Sequence, residues 1–236
     1  DRIEKMAKRF GLGERVGIDL PNEKPGLIPT QQWKYESTGV KWQNGETLIT
    51  GIGQGFVLTT PLQLAVMTAR IANGGFAVKP RLVRPAAATP NARDAPHIGV
   101  PREHLALVHE GMNRVTNNER GTAFRARIRE PGMEMAGKTG TSQVRRISKR
   151  ERDTGVIKNE NKPWEERDHA VFVGFAPVRS PRYAVSVLVE HGGGGSAVAA
   201  PIARDILIEA QKRDPASHDI RSANLAVGHD DRARKL

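Results

Sequence analysis

Cysteine is absent from the 236-residue sequence. That absence excludes disulfide bonds, thiolate metal sites and a cysteine nucleophile. Aromatic residues make up only 5% of the chain, and no basic run alternates with aromatic residues, as a surface that stacks on nucleotide bases would require. No run of about 18 apolar residues is present, so the sequence contains no candidate transmembrane helix. We therefore expect no nucleic-acid partner and no membrane span within this sequence.

Positive charge is what the sequence has in excess. Its formal net charge is +11, with 37 Lys and Arg against 26 Asp and Glu. This balance favours anionic surroundings such as lipid head groups or an acidic polymer. Hydrophobic residues at 38% and charged residues at 27% are typical of a soluble globular domain. The sequence starts at Asp1 with neither a methionine nor a leader, and we expect that a preceding segment is missing.

The clearest helical signal spans residues 60–73. Thr60 is a candidate N-cap, Pro61 fits the first helical position, and Gln63 completes a capping box. The segment is apolar nearly all round, which predicts a buried helix. Apolar residues at helical spacing predict three further helices, over 2–10, 101–116 and 197–213.

Three strand-like runs are predicted to form strands: 133–144, 169–178 and 182–192. Few positions in the last two are strongly polar, which indicates that both faces of the sheet are covered. The helix at 197–213, with Ser196 as its candidate N-cap, follows the third strand and would cover one face. Consecutive strands followed by a covering helix predict an α+β fold built on an antiparallel sheet.

Three polar segments are predicted to lie outside the packed core. The stretch between Trp33 and Trp42 is predicted to be a surface loop. Residues 145–168 carry many charges of both signs without periodicity, which predicts a long hairpin insert between the first two strands. After residue 213 the chain is polar and aperiodic. Residues 214–236 are therefore predicted to be a disordered tail, and 1–213 the folded part.

A glycine-rich segment, GIGQG at 51–55, precedes the predicted helix at 60–73. Backbone N–H groups at such a place can hold an anion. The glycine spacing, however, matches no nucleotide or phosphate fingerprint. The favoured interpretation is a tight loop packed beneath an active-site helix, and an anion cradle is the alternative.

Residues 135–144 read MAGKTGTSQV and place a lysine among glycines and hydroxyls on a predicted strand. Lys-Thr-Gly is one of three signature motifs of serine acyl-transferases that react with β-lactams. The Lys138 ammonium would stabilise a substrate carboxylate, to which the Thr139 hydroxyl would hydrogen-bond. Gly140 would let a substrate lie along the strand, and the Thr141 N–H is a candidate oxyanion donor. These four residues are predicted to form one wall of an acyl-transfer cleft.

Five segments in a consistent order carry a resemblance to a known family. Besides AGKTGTSQV they are GLGERVGIDLPNEKPGLIPT, GETLITGIGQGFVLTTPLQLAVMTARIANGG, DHAVFVGFAP and VEHGGGGSAVAAPIARDIL. Over residues 1–212 the sequence resembles the C-terminal half of the transpeptidase domain of class B penicillin-binding proteins, in particular the members that serve cell elongation. The resemblance implies the penicillin-binding/β-lactamase-like transpeptidase fold, incomplete in this chain, and neither a cofactor nor a metal.

The resemblance also implies an activity and a location. Members of the family cross-link peptidoglycan stem peptides through a serine acyl-enzyme and are acylated by β-lactam antibiotics. They act on the periplasmic face of the bacterial inner membrane, anchored through an N-terminal helix that this sequence does not contain. The expected partners are therefore stem peptides, β-lactams and cell-wall elongation proteins in the membrane.

Two motifs of the family have no counterpart here. S-x-x-K carries the nucleophilic serine and its base, S-x-N follows it, and in the family both precede the segment that matches residue 1. The run from Ser37 to Lys41 has one residue too many for S-x-x-K. Ser222-Ala223-Asn224 has the spacing of S-x-N but follows Lys-Thr-Gly, in the predicted tail. We therefore expect this chain to be inactive by itself, while the complete protein is an enzyme.

Other classes of function stay open at this point. A noncatalytic module that keeps the penicillin-binding-like fold, or that binds an anionic polymer, is the main alternative. A β-lactamase is less favoured, because the 145–168 insert and the GIGQG…TPLQLA block resemble the class B transpeptidases. Asp168-His169 suggests part of a catalytic triad, but triads are recognised by geometry rather than by neighbouring positions. The entry to a strand is the favoured interpretation of that pair.

Overall fold

The computed structural model of the chain describes residues 2–83, 92–145 and 147–214. Ser222-Ala223-Asn224 and the rest of the predicted tail beyond residue 214 lie outside them. No helix in the described ranges is long and apolar enough to cross a bilayer. The main elements there are, in chain order, α1 (Arg2–Arg9), α2 (Gln31–Thr38), α3 (Asn44–Gly51), α4 (Pro61–Ala72), α5 (Arg102–Asn117), β1 (Ala136–Ser142), α6 (Lys149–Thr154), β2 (His169–Ala176), β3 (Tyr183–Val189) and α7 (Ala200–Lys212).

The strands form an antiparallel sheet in the order β1-β2-β3. Lys138 of β1 lies opposite Val173 of β2, and Val173 lies opposite Ser186 of β3. This arrangement confirms the predicted α+β class and the antiparallel pairing of successive strands. The two hairpin connections place β2 in the centre, where its last five residues are all buried.

Helices cover both faces of the sheet, as the apolar character of the strands predicted. On one face, fully buried Phe172 packs with Ala203 and Leu207 of α7. On the other face, fully buried Phe175 packs with Met112 of α5 and Ile71 of α4. Because residues three apart on a strand point to opposite faces, one strand supplies a large anchor to each layer. Burying each such ring stabilises the fold by about 1.5–3 kcal/mol.

The predicted start of α4 is confirmed. The Thr60 hydroxyl accepts from the Gln63 N–H at 3.1 Å, and Gln63 Oε1 accepts from the Thr60 N–H at 2.9 Å. Gln63 is fully buried, and its Nε2 donates to the carbonyl oxygens of Glu14 and Pro25. The same side chain therefore caps the helix and ties the extended N-terminal segment to it.

The predicted surface loop between Trp33 and Trp42 is wrong, because most of it forms α2. Thr30 caps this helix by accepting from the Trp33 N–H at 3.0 Å. The ammonium group of Lys34, which is buried, lies 2.6 Å from the carboxylate of Glu46 in α3, and this contact lowers the pKa of Glu46. The pair fastens two short polar helices to each other.

The predicted Ser196 cap of the last helix is also wrong. A π-helical turn, Gly195–Ala199, comes first, with Gly194 at its N-cap and no side-chain capping bond. Gly195 lies directly against Gly140 and Val171, so a β-carbon at position 195 would collide with their carbonyl oxygens. Close approach to the sheet, rather than a hydroxyl cap, therefore decides how this helix begins.

The 145–168 insert contains regular structure that the charge pattern concealed. Ser148 and Glu151 form a capping box at the start of α6, and Arg145 lies 2.6 Å from the Glu151 carboxylate. Near the other end of the insert, Lys162 and Asp168 are both buried and pair at 3.3 Å. Both ends of the insert are therefore held by ion pairs next to the strands that they connect.

The folded part reaches at least residue 214. Asp214 is buried, and its carboxylate lies 2.8 Å from Nε of Arg182, just before β3. The predicted tail begins at this residue, so its first side chain belongs to the packed structure.

Candidate active site

The Lys138-Thr139-Gly140 motif (the KTG motif) lies in the middle of β1. This strand pairs with β2 along one side, and in the described part of the chain no strand pairs with its other side. Backbone N–H and C=O groups of an unpaired strand edge can bind another extended chain. The geometry therefore offers a place where a peptide can add as a further strand.

The side chain of Lys138 is exposed beside this open edge. Its Nζ donates a hydrogen bond to the carbonyl oxygen of Thr139 at 2.7 Å. Among residues 2–83, 92–145 and 147–214, no carboxylate forms an ion pair with it. A positive charge that is not neutralised within the described structure is accordingly accessible to an anionic group.

The two glycines around Lys138 have different roles. Gly137 is buried, and a β-carbon there would collide with the ring of Phe172 and lie 2.5 Å from the Val173 carbonyl oxygen. A β-carbon at Gly140 would meet the Val171 side chain at an ordinary 3.4 Å. Gly137 therefore makes room for the core. Only Gly140, the glycine of the KTG motif, leaves open space beside the strand.

The Thr139 hydroxyl has a partner that sequence analysis missed. Its Oγ1 lies 3.1 Å from Oγ1 of Thr122, in the turn after α5. Seventeen positions separate the two residues, and no local pattern signals such a contact. Thr141, the fourth predicted wall residue, is exposed on the same strand.

The GIGQG segment reaches the end of β1. Nε2 of Gln54 donates to Oε1 of Gln143 at 3.2 Å, and all five residues 51–55 are exposed. Gly53 and Gly55 adopt positive φ angles of 74° and 75°, which favour glycine. The segment is thus a turn beside the KTG strand, not a loop buried beneath a helix.

Asp168 and His169 do not form a catalytic pair. The Asp168 carboxylate binds Lys162, while Nδ1 of His169 accepts from the His191 N–H at 2.9 Å. The His191 ring packs on Trp164 with ring centroids 4.3 Å apart. These contacts hold the end of the insert that precedes β2. No group of three His, Asp or Glu side chains that could hold a metal occurs within the described ranges.

Comparison of the chain with known proteins identifies the family to which it belongs. Residues 1–208 match the model of the penicillin binding protein transpeptidase domain. The chain belongs to this transpeptidase family. It is similar to peptidoglycan D,D-transpeptidase MrdA of Acinetobacter baumannii, at 35% identity over 97% of this chain and 34% of the relative. The MrdA protein of Escherichia coli K12 is 32% identical over 84% of this chain and 31% of the relative.

Solved structures of the family show the same fold. PBP2 of Pseudomonas aeruginosa, in complex with WCK 5153, has a TM-score of 0.73 and 37% identity over 91% of this chain and 44% of that protein. PBP2 of Helicobacter pylori, in complex with MreC, has a TM-score of 0.74 and 32% identity over 90% of this chain and 36% of that protein. The penicillin-binding transpeptidase fold is therefore shown. The chain spans about a third of the length of the curated relatives that it matches.

Proposed function

We propose that this chain supplies the substrate-orienting wall of a serine peptidoglycan D,D-transpeptidase that cross-links stem peptides during cell-wall elongation. The observation that carries the proposal is the KTG motif on a strand with an open edge, in a chain of the transpeptidase family. The nucleophilic serine and its base lysine would come from a part of the protein outside residues 1–236.

Each residue of the KTG motif has a chemical role in this proposal. The Lys138 ammonium turns from the Thr139 carbonyl, where it now lies at 2.7 Å, towards the carboxylate of the substrate. The Thr139 hydroxyl donates to the same carboxylate, and Gly140 lets the donor peptide lie along β1. A backbone N–H, that of Thr141, stabilises the oxyanion formed when the serine attacks the D-Ala-D-Ala carbonyl. The terminal D-Ala leaves, and an amine of a second stem peptide then takes the acyl group.

The partners and the location follow from the same proposal. β-Lactams would acylate the serine in place of the stem peptide. The PBP2–MreC complex of Helicobacter pylori supports an elongation protein as a partner. The complete protein would act at the periplasmic face of the inner membrane, held by a segment outside residues 1–236. The insert at 145–168 and a transpeptidase part over 1–213, extended to Asp214 by its ion pair with Arg182, complete the proposed organisation.

A noncatalytic module that binds an anionic polymer is the second candidate. The excess of basic residues, 37 against 26 acidic ones, favours it. The two candidates differ in covalent chemistry, because only the transpeptidase forms an adduct with penicillin.

Labelling with a fluorescent penicillin tests both candidates. The complete protein should form a stable adduct, while residues 1–236 alone should form none because they lack S-x-x-K. The matched control is the complete protein with the S-x-x-K serine replaced by alanine, which should stay unlabelled. An adduct on residues 1–236 would show that the nucleophile lies within this chain. A folded complete protein without an adduct would favour the noncatalytic module.

A further inference from the structure

The turn after α5 brings a second hydroxyl to the KTG motif. Oγ1 of Thr122 lies 3.1 Å from Oγ1 of Thr139. Thr122 is exposed and does not belong to the sheet. In the described part of the chain the Thr139 hydroxyl is its hydrogen-bond partner, so the side chain neither caps a helix nor closes its own turn.

The backbone on both sides of Thr122 is fixed. The Gly121 N–H donates to the Asn118 carbonyl at 2.8 Å, and the Ala123 N–H donates to the Val115 carbonyl at 2.9 Å. A β-carbon at Gly121 would collide with the carbonyl oxygens at the end of α5, and Ala123 is only 1% exposed. An exposed side chain thus emerges from a hydrogen-bonded turn whose next residue, Ala123, is buried, so the backbone that presents it is held in place.

The same end of α5 also holds the start of β1. The Thr116 hydroxyl donates to the carbonyl oxygen of Met135 at 2.6 Å, and Nδ2 of Asn117 donates to that oxygen at 2.9 Å. Met135 is fully buried. Because one helix end anchors both partners, the separation between Thr122 and Thr139 is fixed by the fold and not by the two side chains alone.

The Thr122 hydroxyl, next to that of Thr139, sets the direction in which the Thr139 hydroxyl points its proton. A threonine hydroxyl has one proton to donate and two lone pairs that accept. When Thr122 donates to Thr139, the Thr139 proton is left free to point at the open edge of β1. Without that donor the Thr139 hydroxyl rotates freely, and part of its population points the proton away from the substrate.

We propose that Thr122 is a positioning residue, whose hydroxyl orients the Thr139 hydroxyl towards a carboxylate in the cleft. This inference rests on the proposed function, because it assigns Thr139 the task of binding the substrate carboxylate. Thr122 itself touches neither the substrate nor the reacting atoms in this account.

The rate constant of penicillin acylation tests the proposal in the complete protein. Thr122→Val keeps the shape of the side chain and removes the hydroxyl, and should slow acylation by about three- to tenfold, the range expected for one hydrogen bond. Thr122→Ser keeps the hydroxyl and should stay within about twofold of the wild type. The rate constant is measured on the molecules that react, so a small unfolded fraction does not alter it.

A double-mutant cycle separates positioning from a general structural role. Thr139→Val alone should slow acylation, and adding Thr122→Val to it should cause no further loss. If Thr122→Val slows acylation equally with and without Thr139, the two residues act independently and the proposal is wrong. An unchanged rate for Thr122→Val, while Thr139→Val is slow, would also overturn it. A folded wild-type protein that is never acylated would instead overturn the proposed function, and this inference with it.

Discussion

The two ends of β1 differ in what surrounds them. Ala136 and Gly137 are buried, and the ring of Phe172 fills the space that Gly137 leaves. From Lys138 to Ser142 every residue is at least partly exposed. A single seven-residue strand therefore serves as core at one end and as a candidate binding edge at the other.

This difference shows that a glycine beside a functional residue is not always there for the substrate. Gly137 and Gly140 flank the same lysine and look equivalent in the sequence MAGKTGTSQV. Only the fold distinguishes them, because a β-carbon at Gly137 would meet the ring of Phe172, whereas a β-carbon at Gly140 would meet only Val171, at an ordinary distance. A substitution at Gly137 should therefore lower stability, whereas one at Gly140 should slow acylation.

The largest effect on stability is expected from Gly137→Ala. Its methyl group would overlap the fully buried Phe172 ring and the backbone of Val173, which cannot move without breaking the sheet. Overpacking of this kind costs up to about 3 kcal/mol of unfolding free energy. Denaturant unfolding of the complete protein should show a clearly lower midpoint.

Gly140→Ala is the matched control, because it adds the same methyl group at an ordinary contact distance. It should change the unfolding free energy by less than about 1 kcal/mol, as expected where no close contact is made, and slow acylation instead. Equal destabilisation by the two variants would show that both ends of β1 are packed alike, and the comparison would be wrong.

Acid is expected to have a smaller effect on stability, and of the two ends of β1 only the open end should be affected. The ion pair with Arg145, together with hydrogen bonds to Ser148, lowers the pKa of Glu151 from 4.5 to about 2. A carboxyl whose pKa is lowered by folding stabilises the fold fully above its unfolded pKa, and loses this contribution as the pH falls through its folded pKa. The insert next to β1 should therefore loosen between about pH 4.5 and pH 2.

Amide hydrogen exchange, expressed as protection factors, measures this loosening. Protection in 145–154 should decrease over that interval while protection in 170–176 persists. Glu151→Gln should have low protection in 145–154 at every pH and no step. A parallel loss of protection in both segments would mean that the insert and the central strand unfold together.

Signals contained in short segments allowed much of this fold to be predicted. Thr60, Pro61 and Gln63 mark the start of α4 within four residues, and three strand-like runs mark the three strands. The helices α2 and α3 were missed because an ion pair between Lys34 and Glu46 holds them. Their polar sequences reveal no such contact.

The residues of the candidate site likewise divide into those that a short segment reveals and those that depend on contacts between distant residues. The KTG motif is contiguous and was found directly. Thr122 lies seventeen positions from Thr139, and Gly137 makes room for a ring, that of Phe172, which belongs to another strand. The wrong Ser196 cap has a similar cause, since the close approach of Gly195 to β1 is also a contact between distant residues.

Lys138→Ala in the complete protein tests the central claim most directly. Removing one preorganised charge contact from a transition state costs about 3 kcal/mol, or roughly a hundredfold or more in rate. The exposed side chain adds little packing, so we expect slow penicillin acylation with an unchanged unfolding midpoint. Lys158→Ala, which removes another exposed lysine in the insert, should change neither quantity. A Lys138→Ala protein that unfolds more easily but is acylated at the wild-type rate per folded molecule would contradict the account.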